Sequence, residues 1–178
     1  IASSRSISSF GQDAQGRLYV VSLSGSIQRL DRSEPPEGAG LPELLSQTGC
    51  FADIAAHTWA PGVVPFDVNS ALWSDGAAKL RAFALPDGET ATRLPNGALE
   101  WPVGSVLLKS FEIDTPQGAR RLETRILHRE ASVWRGFTWK WNAEQNDAEL
   151  VGAAGLNEQV QTVDGPLTWG YPSRSQCD

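Results

Sequence analysis

The chain carries few side chains that could perform acid–base or nucleophilic chemistry. It has two histidines, His57 and His128. His57 lies in an irregular stretch without a neighbouring motif. His128 lies at the end of a predicted strand, on the face of Ile126, where a packed, hydrogen-bonded histidine is the usual occupant. Zinc sites need several His or Cys ligands at short spacing, and phosphate sites need a glycine-rich loop. The sequence shows neither pattern, so we predict no catalytic residue.

Tryptophan is the more prominent residue type, with seven in 178 residues. Exposed and coplanar indole rings can stack on sugar rings, which would make the domain a carbohydrate-binding module. The alternative is that the rings fill the core. We expect core positions for Trp101, Trp134, Trp139 and Trp141, and exposed positions, available to polysaccharide, for Trp59, Trp73 and Trp169.

Oxygen-bearing side chains cluster between residues 65 and 77. Asp67, Asn69 and Asp75 supply the donors that calcium prefers, although their spacing does not match an EF-hand loop. The alternative is a structural loop in which these side chains cap their own backbone.

Two charged residues, Glu123 and Arg125, share one face of a predicted strand. They could mark a polar pocket or form an ion pair on the solvated side of a sheet, and we favour the ion pair. The net charge of −6 and the absence of a basic run argue against nucleic acid as a partner. No apolar stretch approaches the roughly 20 residues needed to span a membrane.

Residues 101–141 predict the nucleus of an all-β fold. Alternating runs at 106–113, 121–129 and 132–141, with a turn at 115–118, indicate a three-stranded antiparallel meander. The middle run should place Leu122 with Thr124 and Ile126 on one face, and the third should place Phe137, Trp139 and Trp141 on one face. With 17 Gly and 11 Pro, the composition favours many turns. The fold class we predict is an antiparallel β-sandwich with short helical turns.

Turn residues and a Pro/Gly-rich stretch divide the chain into three segments. Residues 1–30 contain short strands and tight turns of the kind found in a partial β-propeller blade. Residues 31–42 form a Pro/Gly-rich linker. Residues 43–178 form the sandwich, with a short helix ending at Gly49 and a hairpin at Asn96-Gly97.

Methionine is absent and there are two cysteines, Cys50 and Cys177. Without a start methionine we expect the chain to be a piece of a larger gene product. A disulfide between the cysteines would join the two ends of the main domain and would be worth roughly 4–5 kcal/mol in the chain-entropy model. Spacing alone does not decide this, and Cys50 could equally be a small buried apolar residue.

The N-terminal segment carries a first resemblance to a known family. The run F-G-Q-D-A-Q-G-R-L-Y-V-V followed by G-S-I-Q-R-L resembles the closing blade of six-bladed quinoprotein dehydrogenases of the glucose/sorbosone type. The match covers about 25 residues.

Five further blocks carry a second, longer resemblance. They are L-L-S-Q-T-G-C-F (44–51), P-F-D-V-N-S-A-L-W-S-D-G-A (65–77), W-P-V-G-S-V-L-L-K-S-F (101–111), R-L-E-T-R-I-L (121–127) and W-R-G-F-T-W-K-W-N (134–142). Together they resemble the region between a quinoprotein-type propeller and a C-terminal cytochrome c segment in large secreted bacterial proteins. The resemblance implies neighbouring propeller and cytochrome modules as partners, with haem c or PQQ in those modules and none in this chain.

Two residues bear on haem through this resemblance. In such proteins the segment like 171–177 runs on into C-x-x-C-H, the attachment motif of c-type haem, but here one residue follows Cys177. Lys109, in G-S-V-L-L-K, is similar in position to the haem-crosslinking lysine of small β-sheet cytochromes, although a lysine on an exposed strand face explains it equally well.

From these features we expect a non-catalytic accessory domain of a secreted or periplasmic redox protein. The alternatives are a carbohydrate-binding module and a haem-binding electron-transfer domain.

Overall fold

The computed structural model describes residues 7–30 and 41–177, with the backbone alone for Cys177. Backbone packing divides the chain into two units, Ile1–Gly40 and Leu41–Asp178. Most of the predicted linker, residues 31–40, lies outside the described residues. Both units are built from antiparallel strands, which confirms the all-β, sandwich-like class.

The first unit contains one small antiparallel sheet with the order β1-β2-β3. Its strands are β1 (Ile7–Gln12), β2 (Leu18–Ser22) and β3 (Ile27–Leu30). The turn between β1 and β2 is held by Asp13, whose carboxylate accepts the backbone N–H of Arg17 and the Tyr19 hydroxyl. These hydrogen bonds lower the pKa of Asp13 against the opposing effect of desolvation.

The second unit is organised around a six-stranded antiparallel sheet with the order β13-β12-β11-β10-β7-β6. Three two-stranded hairpins, a 3-10 helix (Leu45–Thr48) and a short C-terminal helix accompany it. The elements are β4 (Phe51–Asp53), β5 (Thr58–Trp59), β6 (Val64–Phe66), β7 (Ala78–Ala84), β8 (Thr92–Arg93), β9 (Leu99–Glu100), β10 (Val106–Thr115), β11 (Gly118–Arg129), β12 (Trp134–Trp141), β13 (Ala148–Leu150), β14 (Leu156–Thr162), β15 (Gly165–Tyr171) and α1 (Arg174–Cys177).

The predicted meander is present as β10, β11 and β12, and its turn falls where expected. The short helix near residue 45 is a 3-10 helix that ends at Gly49 in the left-handed conformation, φ 76°. The Asn96-Gly97 hairpin joins β8 to β9. The β14–β15 hairpin was not predicted.

One face of the large sheet is covered by the 3-10 helix and the β4–β5 hairpin. We call it the covered face. As predicted, Phe137, Trp139 and Trp141 of β12 share this face. Its core consists of Leu45, Cys50, Phe51, Ala82, Leu108, Ile126, Trp139, Trp141 and Ala148.

The opposite face is covered at one end only, by β14 and β15. Phe111 packs edge-on against Trp169 there, with ring centres 5.6 Å apart. Leu122 joins this second core rather than the covered face, so its predicted position was wrong. The reason is a β-bulge: Phe111 pairs with Glu123 while Glu112 pairs with Arg121, which leaves Leu122 as an extra residue and reverses the alternation beyond it.

Candidate functional sites

A chain of polar side chains crosses the covered face at the position of His57. His57 Nε2 lies 2.8 Å from Ser110 Oγ, which lies 2.7 Å from Thr124 Oγ1. The Trp141 indole N–H donates to the same Thr124 oxygen at 3.0 Å. His57 occupies the β4–β5 turn with φ 53°, and its ring packs against Phe51, Trp59 and Trp141.

A histidine next to a serine hydroxyl is the arrangement that activates a nucleophile, but this pair is closed to substrate. Ser110 is 1% exposed and Thr124 is fully buried, so no substrate can reach the hydroxyl. Desolvation, and then the Arg121 guanidinium, lower the pKa of His57 to about 4. The ring is therefore neutral at pH 7 and a weak base, and the pair serves as a core hydrogen-bond network.

Three basic residues form a row on the opposite face. Lys109 on β10 pairs in register with Arg81 on β7 and with Arg125 on β11. Because residues paired across antiparallel strands point to the same side, the three cations lie side by side. Lys109 precedes Ser110, and Arg125 follows Thr124, so this row lies on the other side of the sheet from the His57 network.

The row lines an open depression of about 410 Å³, which we call the cationic groove. The residues that line it include Arg81, Lys109 and Arg125, together with the apolar Phe66, Leu107 and Leu127. This volume lies within the range typical of small-molecule sites. Sequence reasoning missed the groove, because Arg81 comes from a strand about 30 positions away. The register of β7 against β10 was the missing information.

Glu123 and Arg125 form the predicted ion pair, but the expectation that it lies on the solvated side was wrong. Glu123 is 0% exposed. Burial raises the pKa of Glu123, and the contacts with Arg125 and Trp169 oppose that shift. Arg125 Nη2 contacts Glu123 Oε1, the guanidinium lies 4.6 Å from the centre of the Phe111 ring, and its Nε is buried without a hydrogen-bond partner within the described chain.

The three tryptophans predicted to be exposed differ from one another. Trp73 is 77% exposed, as expected. Trp169 is 4% exposed, so its predicted exposure was wrong. Its ring extends from β15 into the second core and packs edge-on against Phe111. Trp59 is half-buried and stacks on Phe51 at 4.8 Å. Of the predicted core rings, Trp139 and Trp141 are buried, whereas Trp101 and Trp134 are half-buried and pack edge-on against each other.

Trp73 borders a second pocket of about 340 Å³ at the other end of the unit. Three carboxylates, those of Asp75, Asp114 and Asp164, line it as well. Gly76, with φ 79°, brings the backbone beneath the edge of the Trp73 ring. We call this the Trp73 pocket.

The candidate calcium ligands are Asp67, Asn69 and Asp75. Asp67 Oδ1 accepts the backbone N–H of Val68 at 2.8 Å and lies 3.3 Å from Arg81 Nη1, so a cation there would compete with a guanidinium. Asn69 and Asp75 are exposed. Across residues 7–30 and 41–177, no group of three His, Cys, Asp or Glu side chains is placed to hold a metal ion. A calcium site remains a prediction.

Cys50 is buried and forms no disulfide with a described side chain, and burial raises the pKa of its thiol. This matches the alternative of a small buried apolar residue. The side chain of Cys177 lies outside the described residues, so its pairing with Cys50, like its role in a haem motif, stays a prediction. Lys109, the other haem-related candidate, belongs to the cationic groove.

In comparisons with protein-family models, curated proteins and solved structures, no significant match to the chain was found. The family resemblance of the five sequence blocks therefore remains an expectation. No helix within the described ranges is long and apolar enough to cross a bilayer.

Proposed function

We propose that the chain is a non-catalytic accessory region of a secreted or periplasmic redox protein, positioned between a quinoprotein-type propeller and a cytochrome c module. The five blocks resembling that region motivate this proposal. The haem c or PQQ of such a protein would belong to the neighbouring modules.

The observation that carries the proposal is the apolar surface of the β1–β3 sheet. Three strands need a packed apolar face for stability, and a propeller blade obtains one from adjacent blades. In the first unit, large apolar side chains are exposed instead. By the strand register, Ile7, Phe10, Leu18 and Leu30 lie on one face and Ile27 lies on the other, while Leu23 lies in the turn between β2 and β3. This exposure is what we expect of strands that pack against further blades.

The sealed His57–Ser110 pair supports the non-catalytic part of the proposal. It is a nucleophile–base contact, yet Ser110 is out of reach of substrate and His57 is a weak base. Ser110→Ala should therefore leave any redox activity of the full-length product unchanged at temperatures where the protein is folded.

The mass and visible absorption spectrum of the full-length gene product test the proposal. We expect a product much larger than 19.2 kDa with haem or quinone absorbance. A full-length product without a propeller and without either cofactor would contradict it.

A second candidate function is carbohydrate binding at the Trp73 pocket. The exposed indole supplies a stacking surface, and the three carboxylates beside it can accept hydrogen bonds from sugar hydroxyls. Retention on a polysaccharide panel tests this. We expect retention that Trp73→Ala abolishes and that Leu72→Ala, an equally exposed neighbour outside the pocket, preserves. No retention of the unmodified protein refutes it.

A further inference from the structure

We propose that the cationic groove is a binding site for a small amphipathic monoanion, a monocarboxylate with an apolar body. The proposal rests on the unpaired charge of Lys109, the buried guanidinium of Arg81 and the apolar residues beside them. It is independent of the accessory role proposed above.

The charges along the groove leave one cation without a counterion. Arg125 pairs with Glu123, and Arg81 pairs with Asp67. Lys109, between them in the row, makes no ion pair with any residue in the described part of the chain, and its ammonium lies 5.8 Å from the centre of the Phe111 ring. The three cations of the row and their two partner carboxylates therefore leave one net positive charge, which a single anionic group would neutralise. A fourth cation nearby, Lys79, donates to the Leu72 carbonyl and does not line the groove. In a chain of net charge −6, a local excess of positive charge is a distinct feature.

The guanidinium donors are held in place before any ligand arrives. The Arg81 side chain is only 10% exposed, and both of its hydrogen bonds, to Asp67 and to the Lys79 carbonyl, use Nη1. Arg125 is fixed by Glu123 and by stacking on Phe111. A carboxylate entering the groove would meet donors that lose little conformational freedom on binding, which favours affinity.

The apolar side of the groove favours a ligand with an apolar body. Phe66 pairs in register with Arg81, and Leu107 pairs with Leu127, so these apolar residues share the face that carries the cations. The Phe66 ring packs against Phe83, with ring centres 6.1 Å apart, and Phe83 packs against Trp101, with ring centres 5.5 Å apart. A ligand with its carboxylate on the cation row could lay an apolar body along this side.

Like charges in the row oppose one another, and they add to the effect of burial on the pKa of Lys109. Desolvation, followed by the neighbouring Arg125, Arg81 and Lys79 charges, lowers the pKa of Lys109, with Glu123 opposing. A bound anion would relieve this repulsion. The arrangement therefore costs stability in the empty protein and favours an anionic ligand.

Isothermal titration of the 178-residue chain with octanoate tests the proposal. We expect saturable octanoate binding, weaker binding of octanol and of acetate, and no tighter binding of octyl phosphate, whose second charge has no counterpart in the groove. Octanol or octyl phosphate binding more tightly than octanoate, or no saturable binding of octanoate, would overturn the assignment.

Substitution at Lys109 locates the site. Lys109→Gln should weaken octanoate binding about tenfold or more, since it removes a charge-assisted contact, and Lys109→Arg should restore most of it. Arg93→Gln is the matched control, because it removes the same charge from a strand, β8, that does not line the groove. Equal losses from Lys109→Gln and Arg93→Gln would contradict the site.

Discussion

The covered face of the large sheet and the cationic groove use polar side chains in opposite ways. On the covered face His57, Ser110, Thr124 and Trp141 satisfy one another inside a core. In the groove, across the same strands, three cations lie beside open space and one of them has no counterion among the described residues. On this sheet, the polar groups that remain available to a ligand therefore lie in the groove, where Lys109 has no counterion.

The largest effect on stability is expected for Trp141→Ala. The ring is fully buried and donates to Thr124, so its loss should lower the free energy of unfolding by about 4 kcal/mol. Trp134→Ala, at a half-buried ring on the opposite face, should cost roughly half as much. Urea denaturation measures both. Equal costs would show that the two faces do not differ in packing.

The next test removes the buried carboxylate beneath the groove. Glu123→Gln leaves the Arg125 guanidinium without its counterion and should cost about 2 kcal/mol, less than for a fully buried pair because Arg125 is one-third exposed. Glu130→Gln is the control, since its partner Arg135 and Glu130 itself are both exposed. That change should cost less than about 0.5 kcal/mol. Comparable losses in the two variants would refute the buried pair.

The His57 network predicts a dependence of stability on pH. The folded protein holds His57 neutral down to a pKa of about 4, whereas the unfolded chain binds a proton near pH 6.5. Stability should therefore fall as pH drops from 6.5 to 4. The shift corresponds to at most about 3.4 kcal/mol, and partial exposure of the ring reduces this to about 1–2 kcal/mol.

His57→Asn should remove this fall, because asparagine tolerates the left-handed backbone at that position without a titrating ring. His128→Asn should keep it. Urea denaturation at several pH values distinguishes the two. A His57→Asn profile as steep as the parent's would assign the pH dependence to other groups.

The smallest expected effect is at the groove itself. Lys109→Gln should raise the free energy of unfolding by up to about 0.5 kcal/mol, since it relieves repulsion from Arg81 and Arg125. The gain should shrink at high salt. A loss of more than about 1 kcal/mol would mean that Lys109 is a structural residue.

Local patterns predicted much of the fold, because they depend on alternation and turn residues. The β10–β12 meander and the Asn96-Gly97 hairpin follow from such signals. The bulge at Leu122 could not be predicted, since nothing in its neighbours marks an extra residue. The β14–β15 hairpin carries an Asp164-Gly165 turn signal, but its strands contain Asn, Glu and Gln at positions that weaken the β pattern.

The sites were less predictable than the fold, because they form across distant strands. His57 meets Ser110 across 53 positions. The cation row needs the register of β7 against β10, and sequence spacing does not give that register. Trp73 was predicted to be exposed, but two of the carboxylates beside it, Asp114 at the end of β10 and Asp164 in the β14–β15 turn, reach it only in the folded chain.

An NMR titration of the chain with octanoate tests the division between the two faces most directly. The account predicts the largest shifts at Lys109, Arg125 and Leu127, with the ring of His57 and the indole N–H of Trp141 little changed. The largest shifts at His57 and Trp141, or shifts that do not saturate anywhere, would contradict it.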